Sequence, residues 1–342
     1  MGKKILLSLV LVMVAALTYQ LVFQPKINMD LSEIVRNNDI GAVSAPGFEK
    51  GGDWFNSEGL VLEKLMEENK VVLVDFWTYS CINCQRTFPY LMDWWDKYQD
   101  KGLVIVGVHA PEFEFEKEDE NLKMAMEKYE IDWPVVQDNE MQIWKEYNNR
   151  YWPAKYLVVP PGKIVYKHFG EGAYLETEKR IRSELERLGY DVSEVELGNE
   201  SDKDRVYDQS PETYLGWQRG RFGNKSQVNY DQKKSYQLTG EVKRDAAYLV
   251  GVWTIEEELA RAGEEAELRY RFKAGEVNLV MRAESESVVE VWLGGEKYKE
   301  IAVEEADLYS LYKGEVRETE MRLVFDEGVE AFAFTFGGSD DN

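Results

Sequence analysis

A run of apolar residues leads directly to the only two cysteines of the chain. Val71–Trp77 carries a single charged residue, Asp75, and a run of this kind predicts a parallel-sheet strand that is buried on both faces. Cys81 and Cys84 follow in a Cys-x-x-Cys spacing, and apolar residues then recur at helical spacing. The sequence therefore predicts two thiols where a strand ends and a helix begins, a place where backbone N–H groups favour a thiolate.

The cysteine count limits the chemistry of this corner. With two cysteines in the chain, a disulfide within the monomer can only join Cys81 to Cys84. Such a pair can cycle between dithiol and disulfide without a dissociable cofactor. The competing interpretation is half of a zinc site, but structural zinc needs four ligands and only His109 and His168 are available to complete the set. The strand-to-helix setting favours the redox interpretation and no metal.

Length and composition indicate how many domains the protein has and which class of partner it does not bind. A chain of 342 residues is long for one domain and favours two folded units. Hydrophobic residues make up 44% of the sequence, enough for packed cores. The formal net charge of -23 argues against nucleic-acid binding, because phosphates would be repelled.

The N-terminus resembles an export signal. Lys3 and Lys4 precede Ile5–Phe23, a stretch without charge that is long enough to cross a bilayer. We predict that residues 1–23 are a signal-anchor or a cleaved signal peptide, and the length favours the anchor. Residues 24–44 would be a tether. The body would lie outside the cytoplasm, either anchored by a single pass or released.

The next part of the chain alternates between predicted strands and helices. Residues 45–190 end with a hairpin around Pro160–Gly162 and a closing helix, which is an α/β arrangement. The acidic segment 191–211 contains few apolar residues and predicts a linker.

The pattern changes to a period of two in residues 212–342. In the last predicted strand, for example, Phe332, Phe334 and Phe336 share one face. Short alternating strands separated by turn signals predict an antiparallel β-sandwich.

Several segments together resemble a known family. The similarity lies in Asp75–Cys84, Val108–Phe113, Tyr151–Leu157 and His168–Gly172, and in Pro89. These segments are similar to those of exported, membrane-associated thioredoxin-like proteins of the TlpA/DipZ type. The resemblance implies an α/β thioredoxin fold, followed by an all-β, jelly-roll-like sandwich similar to carbohydrate-binding modules.

The resemblance also implies roles for individual residues. Cys81 would be the attacking thiolate, and Cys84 would resolve the mixed disulfide. Asp75 would be the buried carboxylate that exchanges a proton with Cys84. Pro153 would follow a cis peptide bond and shape the substrate groove. The implied partners are protein thiols and disulfides, with a CcdA-like membrane protein as the electron donor if substrates are reduced.

Some positions depart from thioredoxin. Ile82 and Asn83 separate the cysteines, Ser80 precedes them, and Trp152 precedes the implied cis proline. Because dithiol pairs of this kind span about -270 to about -120 mV, the direction of electron flow stays open.

Two other functions compete with disulfide exchange. The first is a tethered module that binds a glycan or a protein and carries a passive disulfide. Trp217, Trp253 and Trp292 would form its sugar platform, although aromatic residues in a sandwich are more often core. The second is a thiol-dependent peroxidase, which would need a Pro-x-x-x-Thr-x-x-Cys setting that the residues before Cys81 do not supply.

Overall fold

A computed structural model describes residues 43–198 and 208–338. These described residues belong to one compact unit. The predicted signal segment 1–23, nearly all of the predicted tether and part of the predicted linker lie outside them. Within the two described ranges, every helix is too short or too polar to span a bilayer.

The first sheet is mixed and contains the predicted strand of the cysteine corner. Its strands in residues 43–198 are β1 (Trp54–Phe55), β2 (Val71–Trp77), β3 (Leu103–His109), β4 (Val135–Gln137), β5 (Ala154–Val159) and β6 (Lys163–Phe169). They lie in the order β1-β4-β3-β2-β5-β6. The pairs β2–β3 and β3–β4 are parallel, and the others are antiparallel. The predicted hairpin joins β5 to β6.

Helices cover both faces of this sheet. They are α1 (Leu62–Glu67), α2 (Ile82–Gln85), α3 (Phe88–Tyr98), α4 (Asp119–Lys128), α5 (Gln142–Glu146) and α6 (Tyr174–Arg187). Successive residues of β2 point to opposite faces. Leu73 and Trp77 belong to the hydrophobic cluster formed with α3, α4 and α6, whereas Val72 and Phe76 belong to the cluster formed with α1 and α5. This two-sided burial explains the apolar run and gives the α/β layering of a thioredoxin fold.

The helix after the cysteines is broken, whereas the sequence predicts one helix that extends to about Tyr98 and that Pro89 only kinks. α2 ends at Gln85, and α3 begins at Phe88 with Pro89 in its first turn. Proline has no N–H to donate to the carbonyl of residue 85, and its ring would clash with that carbonyl. The cysteines therefore lie on a single helical turn of their own.

The second sheet is all-antiparallel. Its strands in residues 208–338 are β7 (Thr213–Tyr214), β8 (Lys234–Tyr236), β9 (Ala247–Ile255), β10 (Ala260–Ala262), β11 (Glu267–Arg282), β12 (Ser287–Leu293), β13 (Glu296–Val303), β14 (Asp307–Phe325) and β15 (Glu330–Gly337). Along one side β11 pairs with β14; along the other it pairs first with β9 and then with β15. A strand with two successive partners folds the sheet around a core that includes Trp253, Phe272 and Phe334. The all-β prediction is confirmed.

The two sheets also share a hydrophobic cluster. Leu259, Val280 and Phe332 of the second part of the chain pack into the same cluster as α3 and α4. The rings of Phe113 and Phe115 lie 5.2 and 4.8 Å from the ring of Phe332. The predicted boundaries at residues 190 and 212 stay predictions.

Candidate active site

The cysteines occupy the predicted corner. β2 ends at Trp77, the next three residues are buried, and Cys81 is the N-cap of α2. Cys81 is half-buried and Cys84 is fully buried, and both are free thiols. The backbone N–H of Cys84 donates to Cys81 Sγ at 3.4 Å. Cys81 is thus the sulfur that a partner can reach.

Cys84 is held in its protonated form. Burial raises the pKa of the Cys84 thiol well above its ordinary value, and the neighbouring Cys81 and the negative charge of Asp75 act in the same direction. A buried thiol of this kind does not compete with Cys81 as the first nucleophile, because the thiolate is the reactive form. It can attack only after another group has taken its proton.

Asp75 and Lys155 form a buried charged pair beneath this corner. Asp75 is 1% exposed, and Lys155 of β5 is fully buried. The two are register partners between β2 and β5, with Lys155 Nζ 3.5 Å from Asp75 Oδ1. That separation is one of an ion pair rather than a short hydrogen bond.

The environment of Asp75 shifts the pKa of its carboxyl group toward neutral pH. Burial raises the pKa of Asp75 to about 6, and the positive charge of Lys155 works against this rise. A carboxyl group with this pKa can accept and return a proton under ordinary conditions. Sequence reasoning identified Asp75 but missed Lys155. The signal that could have indicated it is a charged residue within the otherwise apolar strand Ala154–Val159.

Pro153 lies beside the end of β2. The Trp152–Pro153 peptide bond is cis, as the resemblance implied. Register pairs Phe76 with Ala154, so Pro153 is next to the residues that lead to the cysteines. The indole N–H of Trp152 donates to the carbonyl of Ala110 at 3.0 Å and ties this loop to the end of β3.

Glu116 is a second buried carboxylate near the cysteines, and sequence reasoning missed it. Its Oε1 accepts from Ser80 N at 3.3 Å and from Ser80 Oγ at 2.6 Å. Its Oε2 accepts from the backbone N–H groups of Glu112 at 2.6 Å and Phe113 at 3.0 Å. Burial raises the pKa of Glu116, and the hydrogen bonds from Ser80 oppose that rise. With donors on both oxygens, the carboxylate form fits this site.

No sequence signal distinguished Glu116 from its neighbours. Residues 112–116 alternate between glutamate and phenylalanine, and such alternation predicts that all three acids share a solvated face. A short 3-10 turn over Glu114–Lys117 instead directs Glu116 inward. The carboxylate then joins the residue before Cys81 to the loop after β3.

Replacing Glu116 should test this structural role. Glu116→Ala leaves four donors near Cys81 without their acceptor, and each buried unsatisfied donor costs about 1–3 kcal/mol. We expect the free energy of unfolding in urea to fall by about 3 kcal/mol or more. The control is Glu120→Ala, an exposed position on α4 that should change stability by less than about 0.5 kcal/mol. Equal stabilities of the two variants would contradict the role of Glu116.

Glu112 contacts the second part of the chain. Its Oε1 accepts from Tyr214 Oη at 2.7 Å and from Arg219 Nη1 at 2.8 Å. The Arg219 guanidinium in turn lies 3.7 Å from the centre of the Tyr214 ring. Glu112 therefore holds the all-β part against the loop beside the active site.

The three tryptophans of the predicted sugar platform lie in different environments. Trp253 is fully buried in the core of the second sheet, which agrees with the core interpretation that the sequence favoured for these aromatic residues. Trp292 is covered by the guanidinium of Arg322, 4.3 Å from its ring. Trp217 is 37% exposed and lies beside the exposed Tyr230.

The zinc interpretation would need His109 and His168 as ligands beside the two cysteines. Across 43–198 and 208–338, His, Cys, Asp and Glu side chains are nowhere grouped in threes as metal ligands. His109 is fully buried, and its ring stacks on Tyr79 at 5.8 Å.

Two family models match the chain. Residues 44–167 match the AhpC/TSA family, and residues 210–337 match the family described as thioredoxin-like C-terminal domain. The AhpC/TSA match is a broad one. It covers the first sheet and its cysteine corner, and the second match covers the all-β part.

Known proteins are also similar to this chain. Protein DipZ of Mycobacterium tuberculosis is 33% identical over 251 residues, which are 70% of this chain and 35% of DipZ. The chain thus spans about a third of the length of this relative. Thiol-disulfide oxidoreductase YkuV of Bacillus subtilis is 30% identical over 132 residues, which are 39% of this chain and 87% of YkuV. Thiol-disulfide oxidoreductase ResA of Bacillus cereus is 28% identical over 131 residues, which are 38% of this chain and 70% of ResA.

These similarities agree with the site geometry. The matched region carries a half-buried cysteine capping a helix, a buried cysteine one turn later, and a cis proline beside them. The chain belongs to the thioredoxin-like thiol-disulfide oxidoreductases of the TlpA/DipZ type.

Proposed function

We propose that this protein exchanges disulfides with protein substrates through Cys81 and Cys84. The arrangement of the two sulfurs carries the proposal. Cys81 is accessible and accepts a backbone N–H, while Cys84 is buried and protonated directly behind it. This asymmetry assigns different steps to the two thiols.

The exchange proceeds in two balanced steps. In the first, the Cys81 thiolate attacks one sulfur of a partner disulfide, which forms a mixed disulfide and releases the other partner sulfur as a thiolate. In the second, Asp75 takes the proton of Cys84, and the Cys84 thiolate attacks Cys81 Sγ, which breaks the mixed disulfide and releases the second partner sulfur as a thiolate. One partner thiolate takes the proton that Asp75 returns, and the other takes a proton from water. The partner gains two electrons and two protons, and this protein is left with the Cys81–Cys84 disulfide. Oxidation of a partner dithiol is the reverse sequence.

The loop around Pro153 supplies the substrate groove in this proposal. The backbone of Trp152 would pair with an extended segment of the partner, next to the cysteines. Tyr151 and Phe169 are 54% and 45% exposed, with their rings 5.4 Å apart, and they offer apolar contacts beside this loop.

Trapping tests the order of the two steps. Cys84→Ala should accumulate mixed disulfides on Cys81, because the second step is missing, and these can be identified by mass spectrometry. The reduction potential of the wild-type pair then gives the direction of electron flow. A potential of about -270 mV favours reduction of substrates, and a potential of about -120 mV favours their oxidation. If Cys84→Ala captures no partner and the wild-type pair forms no disulfide in thiol buffers, the proposal is wrong.

We further propose that the protein acts outside the cytoplasm, tethered to the membrane by residues 1–23. The uncharged segment after Lys3 and Lys4 supports this proposal. A substrate-reducing enzyme in an oxidising compartment needs an electron supply, and a CcdA-like membrane protein would provide it. Alkaline carbonate extraction and protease treatment of intact cells test the location. Recovery of the full-length protein from the cytosol would contradict it.

Binding of a glycan by the all-β part is the alternative from a different class. The exposed Trp217–Tyr230 pair, with ring centres 6.0 Å apart, favours it. In that case the Cys81–Cys84 disulfide would be passive. A Cys81→Ser/Cys84→Ser variant should then keep its binding to glycan arrays and lose no exchange function, whereas Trp217→Ala should lose binding.

Peroxide consumption is a weaker alternative, and the broad AhpC/TSA match is what favours it. It predicts that hydrogen peroxide disappears in the presence of a thiol reductant at a rate that depends on Cys81. Peroxide loss that is equal with and without the protein would exclude it.

A further inference from the structure

Arg86 connects the cysteine turn to its surroundings. It follows α2, two residues after Cys84. Its Nη1 donates to Asn83 Oδ1 at 3.3 Å, and Asn83 is one of the two residues between the cysteines. The same Nη1 lies 3.5 Å from Glu171 Oε1. A guanidinium is always charged, so a fixed positive charge lies beside the redox pair.

The all-β part provides a close partner of Arg86. Arg86 Nη2 donates to Glu276 Oε2 at 2.6 Å, although the two residues are 190 positions apart. The side chains of Arg86 and Glu276 are only 23% and 10% exposed. Water screens a shielded pair of this kind less than it screens a surface ion pair.

The all-β part of the chain accommodates this contact between Arg86 and Glu276. The pairing of β11 with β14 shifts register between Ala274 and Glu276, so the ladder is irregular next to this contact. Asn278 Nδ2 donates to Glu276 Oε1 at 3.2 Å, so both carboxylate oxygens have donors. Gly337, the register partner of Glu276 on β15, leaves room for the guanidinium: a Cβ there would lie 2.2 Å from Arg86 Nη2.

We propose that Glu276 is a positioning residue of the redox site, supplied by the all-β part of the chain. It holds Arg86 against Asn83 and partly neutralises the positive charge next to Cys81 and Cys84. The all-β part thereby tunes the dithiol–disulfide equilibrium as well as packing against the active-site domain. This inference rests on the proposed function, since it concerns the same cysteine pair.

Glu276→Gln keeps the side-chain size and removes the charge. The Arg86 charge is then less compensated and stabilises the thiolate of the reduced form. We expect the equilibrium constant against glutathione to move toward the dithiol by about threefold to tenfold, where tenfold corresponds to about 30 mV for a two-electron couple. The ratio of dithiol to disulfide is measured by alkylation and mass spectrometry of the full-length protein.

Asp307→Asn is the matched control. Asp307 forms another ion pair between the two parts of the chain, with Lys128 of α4 rather than with the cysteine turn. This control should leave the equilibrium constant unchanged. In an Arg86→Gln background Glu276→Gln should have no further effect, because the two residues would act as one unit.

A second variant covers the case in which Glu276→Gln does not fold. Gly337→Ala changes no charge and displaces the guanidinium from Glu276, so it should shift the equilibrium constant in the same direction. The inference is overturned if the wild-type value persists in Glu276→Gln, if Asp307→Asn shifts it equally, or if the Glu276→Gln shift survives in the Arg86→Gln background. If the wild-type protein shows no disulfide exchange, the proposed function is overturned as well. If the wild type is active but Glu276→Gln has the wild-type equilibrium constant, only this inference is overturned.

Discussion

Cys81→Ser is expected to abolish disulfide exchange while leaving the fold intact. Serine matches the size of cysteine and can still cap α2, but its hydroxyl is not an effective nucleophile toward sulfur. We expect the rate of reduction of a protein disulfide such as that of insulin to fall by about 10³-fold or more. The assay follows insulin precipitation with dithiothreitol as the electron source.

Cys84→Ala is the informative comparison for Cys81→Ser. It should also lose turnover, yet it should retain the first step and label fully with a small disulfide reagent, whereas Cys81→Ser should not. Unfolding in urea with midpoints close to that of the wild type would show that both variants fold. Turnover by Cys81→Ser near the wild-type rate would contradict the assignment of the nucleophile.

Asp75→Asn is expected to slow the second step selectively. The Cys84 thiol, whose pKa is raised, must lose its proton before it attacks the mixed disulfide, and in the proposed mechanism the buried Asp75 carboxylate accepts that proton. General base catalysis contributes about 10²–10⁴-fold, so resolution should slow by at least about 100-fold. Stopped-flow measurements with a chromogenic disulfide separate this step from the first attack by Cys81, which should change little.

The pH profile gives a second readout of the same residue. In the wild type, resolution should weaken as the pH falls through about 6, where Asp75 becomes protonated. Asp75→Asn should lack this inflection. Asp96→Asn, an exposed position on α3, should behave as the wild type. A resolution rate that is equal in the Asp75→Asn and wild-type proteins would contradict the proton-transfer role.

Asp75 should also affect stability, with a sign set by its raised pKa. The folded-state pKa is about 6, against an ordinary value of 3.8, so the folded protein binds more protons than the unfolded chain between these two values. Its contribution to stability is complete below about pH 4 and is lost as the pH rises through about 6, a loss of about 3 kcal/mol. Urea unfolding at several pH values should show this decline in the wild type and not in Asp75→Asn.

The corner that carries the chemistry was predictable from local sequence. An apolar run that meets Cys-x-x-Cys and then a helical pattern is a local signal, and the strand, the turn and both cysteines lie as expected. The same reasoning placed Asp75 in a buried strand. It failed at the helix after Cys84, because Pro89 was expected only to kink this helix and the chain instead forms two helices there.

The charged groups around the corner were not predictable in the same way. Lys155 and Glu116 look like ordinary polar residues in the sequence, although both are fully buried. Whether a charge is buried depends on partners that are distant along the chain. Ser80 and Glu116 are 36 positions apart, and Arg86 and Glu276 are 190 apart.

The sequence by itself determined the two thiols, their strand-to-helix setting and the change from an α/β to an all-β pattern. Each of these features follows from the spacing of residues that are close together along the chain. The tertiary structure alone decided which charges surround the thiols. Lys155 reaches Asp75 across a strand pairing, Glu116 reaches Ser80 through a loop, and Glu276 reaches Arg86 from the second sheet. Electrostatic energies depend on distance and burial in space, which local spacing does not encode.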